Sequence, residues 1–598
     1  MTYQTLVDVL RERARDRFRD RAFTFLTDGE VEGDTLTYGE LDVNARSIAA
    51  ALRSHGLIPG ERALLLYPPG LEFISAFFGC LYAGIIAVPA YPPQPSQLAR
   101  TLPRLLSIIA DADVAIVLCD ASVSRSGKGM SAHAPALVNI TWLSTDRLGA
   151  SRANEWTGHA ISRDHLAFLQ YTSGSTASPR GVMVSHANLL HNLDYARRQG
   201  GNGPGTASVS WLPVIHDMGL IEGVLQPIFA GYPAHLMAPA SFLQRPMRWL
   251  RAITRYRATN SGAPNFAYDL CVRKVSDDQL PELDLSSWRI AYNGAEPIRR
   301  ETLLAFHERF RSVGFRWRSF FPVYGLAEST LLVSTGDCDY EPVMRDVDAG
   351  QLAAGRVVAA VAGAPTKSLV SSGPHGSGTR VLIVDPATTT PCADGEVGEI
   401  WVSSPSVARG YWRRDIESAE TFRARLADGR GPFLRTGDLG TMIDGELFVT
   451  GRAKDIIVIR GYKYYPQDIE LTAERLHPAI RGGCSAAFAL DGGDTESVGL
   501  AVELDPRQLP IDQKTRVRAF GEIVDAVRAA IATEHGVNLS LVALVGVGGV
   551  PKTSSGKLRR SACRDAAMNG SLDEVARWTA LADIEWPGTE SMLLRTGT

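Results

Sequence analysis

None of the seven cysteines stands in a C-x-x-C spacing. Cys80, Cys119, Cys271, Cys338, Cys392, Cys484 and Cys563 are scattered singly, which argues against a zinc site and a disulfide framework and fits a reducing cytoplasm. Charge of either sign is not in excess: a net charge of −3 over 598 residues leaves no electrostatic footprint for nucleic acid or an anionic membrane. No apolar signal segment opens the chain, because Met1-Thr2-Tyr3-Gln4 leads straight into a charged helical pattern. A long unbroken apolar run is missing too. Phe73 to Tyr91 carries no charge, close to the roughly 20 residues a bilayer needs, yet Ser75, Gly79, Gly84 and Pro89 interrupt it. That text predicts a buried helix through Tyr82 and a core strand Ile85–Val88. The expectation is a soluble, cytoplasmic protein without a transmembrane segment.

What is present is the balance of a globular chain, 45% apolar and 21% charged. Its length exceeds what one core usually serves, so at least two domains are expected. Leu6, Val9 and Leu10 open an amphipathic helix, and Thr37 with Glu40 has the capping-box spacing. Strands and helices then alternate: strands at Ala63–Tyr67, Ile85–Val88 and Val114–Leu118, with helical text between them. This predicts parallel sheet covered by helices. Residues 336–373 read as irregular Gly/Ala/Val-rich text, long enough to suggest an insertion. Near Gly451-Arg452-Ala453-Lys454-Asp455 the pattern changes to short β runs around the helical text Thr515–Glu534, and Leu572–Leu581 reads as a helix. The fold class is therefore α/β, with a large multi-subdomain N-terminal α/β domain (1–451), a hinge (452–454) and a small mobile α+β C-terminal domain (455–598).

Five turn-punctuated segments could carry chemistry. In the first, the apolar run Leu166–Tyr171 breaks into Thr172-Ser173-Gly174-Ser175-Thr176-Ala177-Ser178-Pro179-Arg180-Gly181. Small residues admit close backbone approach, and N–H and hydroxyl donors beside one cation suit phosphate oxygens. The segment lacks the Gly-Lys-[Ser/Thr] of a Walker loop and the G-x-G-x-x-G of a dinucleotide fold. Asn293-Gly294-Ala295-Glu296-Pro297 and Tyr324-Gly325-Leu326-Ala327-Glu328 each follow an apolar run, and strand ends of this kind converge on one crevice in open α/β sheets. Asp438 follows a glycine turn that suits two ribose hydroxyls, and Lys557 lies far downstream in a basic turn. Each has a plain reading as well: Glu328 as a helix-start acid, Asp438 as an Asx turn, Arg452 and Lys454 as solvated linker charges, Lys557 as an exposed lysine, His216 as a core side chain.

The ordered set closely resembles the adenylate-forming superfamily of acyl/aryl-CoA ligases, peptide-synthetase adenylation domains and beetle luciferases, from about Thr37 to about Arg564. The resemblance implies ATP and Mg²⁺ as cofactors. It implies that Thr172–Ala177 and Arg180 hold phosphates, with Ala177 replacing the usual glycine and Arg180 the usual lysine. Gly294, Ala295 and Glu296 with Tyr324, Gly325, Leu326 and Ala327 would hold adenine, and Glu328 the magnesium ion. Asp438 and Arg452 would hold ribose, Lys454 would be the hinge, and Lys557 would serve adenylate formation.

Within the superfamily, Trp211–Leu220, Ser261–Tyr268 and Tyr324–Thr330 are similar to fatty acyl-AMP ligases, and Ala327 stands where many CoA ligases have Thr. Residues 336–373 fall where such ligases carry an insertion that braces the two domains and is linked to lack of CoA ligation. The resemblance implies activation of a fatty acid to acyl-AMP and transfer to a carrier protein serving polyketide or complex-lipid synthesis. No Asp-Ser-Leu or Asp-Ser-Ile carrier motif occurs here, so the carrier is separate. His216 is placed near the acyl or pantetheine channel, and Met218 and Phe266 in the acyl pocket. The rivals are a CoA ligase, a luciferase-like oxygenase and a non-catalytic ATP-binding scaffold.

Overall fold

The computed structural model describes residues 3–92, 98–130, 137, 139–158, 160–172, 179–376, 378–459, 462–490, 497–553 and 556–580. A six-stranded sheet runs in the order Thr141–Ser144, Ile116–Cys119, Arg62–Leu66, Ile86–Ala90, Leu166–Thr172, Arg180–Ser185. All neighbours are parallel except the last pair, a hairpin whose register sets Thr172 opposite Arg180. The uncharged run folds as the buried helix Glu72–Ala83. Its Gly79 lies against Ile48 of the Tyr38–Ser54 helix, where a Cβ would come within 2.5 Å of Ile48. Gly84 ends it with φ +71, so the run is a core helix shaped for a tight crossing. No described helix is long and apolar enough to cross a membrane, and all seven cysteines are free.

An eight-stranded sheet follows the order Leu332–Thr335, Phe320–Gly325, Ile290–Asn293, Asn260–Ala263, Ser208–Ser210, Ala234–Met237, Arg21–Thr27, Val31–Thr37. Its inner pairs are parallel, so the carboxyl ends of Asn260–Ala263, Ile290–Asn293 and Phe320–Gly325 open on one side. Arg380–Val384, Gly398–Ser403, Leu434–Ile443 and Glu446–Arg452 form an antiparallel sheet beyond them.

The C-terminal part is a mixed four-stranded sheet, Ile480–Leu490, Ser497–Leu504, Leu539–Val545 and Glu574–Thr579, with separate apolar clusters on its two faces. This is the small α+β unit, carrying the helices Pro466–Glu474, Gln513–His535 and Arg560–Met568. Two sequence expectations are corrected. The text at 572–581 holds an edge strand, Glu574–Thr579, antiparallel to Leu539–Val545, rather than a helix. Residues 336–373 are not irregular: Met344–Asp348 and Thr366–Val370 pair as an antiparallel hairpin around the short helix Ala349–Ala353. Val347, Leu352 and Leu369 from this hairpin cluster with Phe448 and Tyr465. Asp346 accepts from Arg300 at 2.6 Å on one side, and Lys367 reaches Asp468 at 2.6 Å on the other.

Candidate active site

The parallel strand ends deliver three turns. Gly294 is required where the second begins: a Cβ there would come 2.5 Å from Val323 Cγ2 and 2.7 Å from its carbonyl oxygen. Ala295 follows at φ +67, a left-handed conformation costly for a residue with a Cβ. Glu296 Oε1 accepts the Phe266 N–H at 2.6 Å, tying the second turn to the first. Burial pushes the Glu296 carboxyl up, against Arg299, Lys557 and Lys552.

In the third turn Gly325 admits the Leu331 carbonyl, which a Cβ would meet at 1.8 Å. Leu326 N–H bonds that same carbonyl, and Ala327 is buried. Thr330 has φ 67 and ψ −61, with Leu331 N–H donating to Ser329 O at 2.8 Å, a strained γ-turn. The Thr330 hydroxyl donates to Ser406 O at 2.6 Å, and Ala408 N–H to Glu328 O at 2.9 Å. Glu328 is thereby presented to Tyr411, whose hydroxyl donates to Oε1 at 2.9 Å. Burial first, and then the Glu328 charge, raise the Tyr411 phenol pKa. Arg180 lies over the Tyr411 ring, 5.3 Å from its centroid, with Nε 3.0 Å from Glu417 Oε2.

Asp438 is buried and bridges two elements. Its Oδ2 accepts the Tyr324 hydroxyl at 2.9 Å, and Oδ1 lies 3.2 Å from Arg452 Nε. Strand register places Asp438 directly opposite Arg452, and Asp438 raises the arginine's pKa. The carboxylate is thus engaged by Tyr324 and Arg452 rather than by an Asx turn.

Lys557 comes from the small unit. Its backbone N–H donates to Thr553 Oγ1 at 3.1 Å. The neighbouring Gly556 has space for a Cβ only 4.0 Å from Phe266 of the large unit. Burial lowers the Lys557 ammonium's pKa and Arg452 lowers it further, while Asp217, Asp438 and Glu296 oppose this. Residues more than 100 positions apart thus share one electrostatic environment. Arg560 holds the segment in place through Glu470 at 2.6 Å and Asp455 at 3.0 Å. Lys454 sits exposed in the short turn Ala453–Asp455.

Met218 and Phe266 belong to one apolar cluster. The Phe266 ring is 6.1 Å from Trp211, which stacks on Phe242 at 4.0 Å. His216 meets the Tyr91 ring edge-on at 5.9 Å. Ser173, Gly174, Ser175, Thr176 and Ala177 lie outside the described residues; Thr172 and Arg180 close the two strands around them. Sequence reasoning missed Tyr411, Glu417 and Asp217. Their only signal is adjacency to other segments, Tyr411 within Ala408-Arg409-Gly410-Tyr411-Trp412 and Asp217 beside His216.

A hydroxyl-bearing strand hairpin, a buried carboxylate–arginine pair and a lysine brought in from a second unit define the class of adenylate-forming enzymes. The model for AMP-binding enzymes matches residues 10–412, and that for the Disco-interacting protein 2-like AMP domain matches residues 454–577. The chain is 45% identical to the medium-chain-fatty-acid–[acyl-carrier-protein] ligase JamA of Moorena producens, covering 96% of both chains. It is 36% identical to a long-chain-fatty-acid–AMP ligase of Mycolicibacterium smegmatis, over 93% of this chain and 92% of that one. The fatty acyl-adenylate ligase of L. pneumophila, solved with acyl adenylate and pyrophosphate, superposes with a TM-score of 0.75 at 40% identity, covering 97% of this chain and 98% of that one. The chain belongs to the AMP-binding, adenylate-forming superfamily and, within it, to the fatty acyl-AMP ligases.

Proposed function

We propose that this enzyme activates a fatty acid as acyl-AMP and passes the acyl group to the phosphopantetheine thiol of a separate acyl carrier protein. The observation that carries the reading is Lys557 set among Asp438, Arg452, Glu296 and Asp217. In the first step a carboxylate oxygen attacks the α-phosphorus of ATP, the bond to the bridging oxygen breaks, and pyrophosphate leaves. In the second, the thiol attacks the acyl carbonyl, AMP departs with the bonding electrons, and the thiol proton passes to solvent. Both anionic partners of the first step repel each other, so a positioned ammonium at Lys557 lowers the barrier where charge accumulates. Asp438 and Arg452 fix the ribose, and Arg180 with the hairpin donors grips the leaving phosphates.

Glu328 suits a divalent cation: Oε1 takes the Tyr411 hydroxyl, and Oε2 has no partner among the described residues. A magnesium ion held there would neutralise charge on the pyrophosphate. The small unit, 455–598, swings about 452–454 to carry Lys557 in for adenylation and away for transfer. Seven free cysteines support a reducing, cytoplasmic setting, and the relatives' names support a carrier partner in polyketide or complex-lipid synthesis.

The test is one reaction: enzyme, ATP, Mg²⁺ and a fatty-acid ladder, with and without CoA and a holo-carrier protein. Acyl-AMP that leaves CoA untouched and loads the carrier is expected. Rapid acyl-CoA formation overturns the acceptor, and absence of adenylate overturns the function. Lys557→Ala is expected to lower adenylation by ~10²–10³ while ATP still binds.

A further inference from the structure

The segment that carries His216 and Met218 continues through a π-helical turn, Ile221–Leu225, into the helix Gln226–Ala230. Such turns commonly occur at functional sites. The segment lies close on one face of the eight-stranded sheet, where a Cβ on Gly223 would come 3.2 Å from Ser210 Oγ. Paired residues of parallel strands share a face and side chains alternate. Register therefore puts Ser208 with Asn260, and Gly262 with Tyr292, on that face beneath the segment. Gly262 leaves room for the Tyr292 ring, which a Cβ there would meet at 2.3 Å. The opposite face is filled by the aromatic cluster around Trp249 and Trp288, which bond Ser261. The covered face thus mixes small and polar side chains, Ser208, Ser210, Asn260 and Gly262, with Leu236, Ile290 and Tyr292.

Glu222 lies in this region, close enough to act on Tyr232 and Tyr292. Protein encloses it, yet its side chain keeps accessible surface, as expected for a group facing an internal space. Its carboxylate has no hydrogen bond or ion pair among the described residues. Burial raises its own pKa to about 7. Near it the Tyr232 hydroxyl has only the Asn260 side chain as partner, and Ser208 Oγ on the same sheet face is buried without a protein hydrogen bond. An unpaired carboxylate beside these weakly satisfied groups carries a substantial desolvation cost, which a matching donor would relieve.

We propose that Glu222 makes the deep end of the acyl pocket polar and selects fatty acids whose chain carries a hydrogen-bond donor, a hydroxyl or an amino group, beyond the first helical turn from Met218. This refinement rests on the adenylation reading above. A plain alkyl end would leave Glu222 unpaired; a hydroxyl donates to the carboxylate, and an ammonium neutralises it as well.

The experiment compares medium-chain alkanoic acids with their ω-hydroxy and ω-amino counterparts, on the wild-type enzyme and on Glu222→Gln and Glu222→Leu. Two readouts are used: pyrophosphate release with ATP, and the thermal shift on adding each acid without ATP. The wild type is expected to favour a functionalised acid by about tenfold to a hundredfold in kcat/KM. Glu222→Leu should invert that preference. Glu222→Gln should keep the hydroxy-acid preference and lose any amino-acid one, which separates the two donors and controls for misfolding. Equal or better use of plain alkanoates by the wild type, or a ratio unmoved by Glu222→Leu, overturns the proposal. If no acid were adenylated, the adenylation reading would fall, and a thermal shift confined to functionalised acids would still decide the pocket.

Discussion

Arg180 stands where the family resemblance leads one to expect lysine, and its surroundings show what a guanidinium meets there. Its guanidinium lies over Tyr411, 5.3 Å from the ring centroid, and forms an ion pair with Glu417 through Nε, a combination for which a planar guanidinium is better suited than a compact ammonium. Tyr411 in turn spends its hydroxyl on Glu328. The arginine proposed for the phosphates and the carboxylate proposed for the metal therefore both meet one phenol. Tyr411→Phe keeps the ring under Arg180 and removes only the donor. A hydrogen bond to a charged group contributes about 1.5–3 kcal/mol, so adenylation kcat/KM is expected to fall roughly tenfold to a hundredfold with melting temperature nearly unchanged. Pyrophosphate release measured across a magnesium titration checks this. A variant with wild-type rates at every magnesium concentration would show that Glu328 needs no such support.

At the scale of elements, the turn after Phe320–Gly325 has the least freedom. The Leu331 carbonyl occupies the space a Cβ on Gly325 would need, and the strained Thr330 is locked by Ser406. Gly325→Ala has no flexible neighbour to displace, only backbone, so a loss of about 3 kcal/mol in stability is expected, read as a lower urea midpoint. An unchanged midpoint would mean that the turn opens at little cost. Much of this architecture was legible beforehand because it is local. Thr37 with Glu40 forms the expected capping box, Ser185 caps its helix, and the buried strands carry continuous apolar text. What escaped is decided by distant partners. Glu574–Thr579 becomes a strand because Leu539–Val545 offers it an edge, with Arg528 packed 3.5 Å over Trp578. The 344–370 hairpin has largely polar, half-exposed strands whose few buried residues meet Phe448 and Tyr465. Of the site, the glycine-marked turns and Asp438 could be read from the chain. Tyr411 could not, since its partner Glu328 lies 83 residues away.

Across the whole molecule the hairpin touches both halves, as do the Arg299–Glu474 and Arg475–Glu301 pairs. Arg300 binds the hairpin's Asp346 from the large unit, and Lys367 binds Asp468 and lies 4.3 Å from the Tyr465 ring centroid in the small one. Half-exposed ion pairs of this kind are worth at most ~1 kcal/mol, too little to govern folding of a chain this size. The same energy is enough to bias two orientations of the small unit about fivefold, provided the pair exists in only one of them. Lys367→Ala is therefore expected to leave adenylation intact and to raise thioester formation with free CoA a few-fold, by releasing the small unit from the position that buries Lys557. Asp468→Ala should do the same to the same extent. The double variant should add nothing, because a latch already broken cannot be broken again. Measuring acyl-CoA and acyl-AMP in parallel for the four proteins checks each step. Strictly additive effects would mean the two residues act separately, and no effect would leave the tie to the apolar cluster of Val347, Leu352 and Leu369 and to contacts such as Arg299–Glu474.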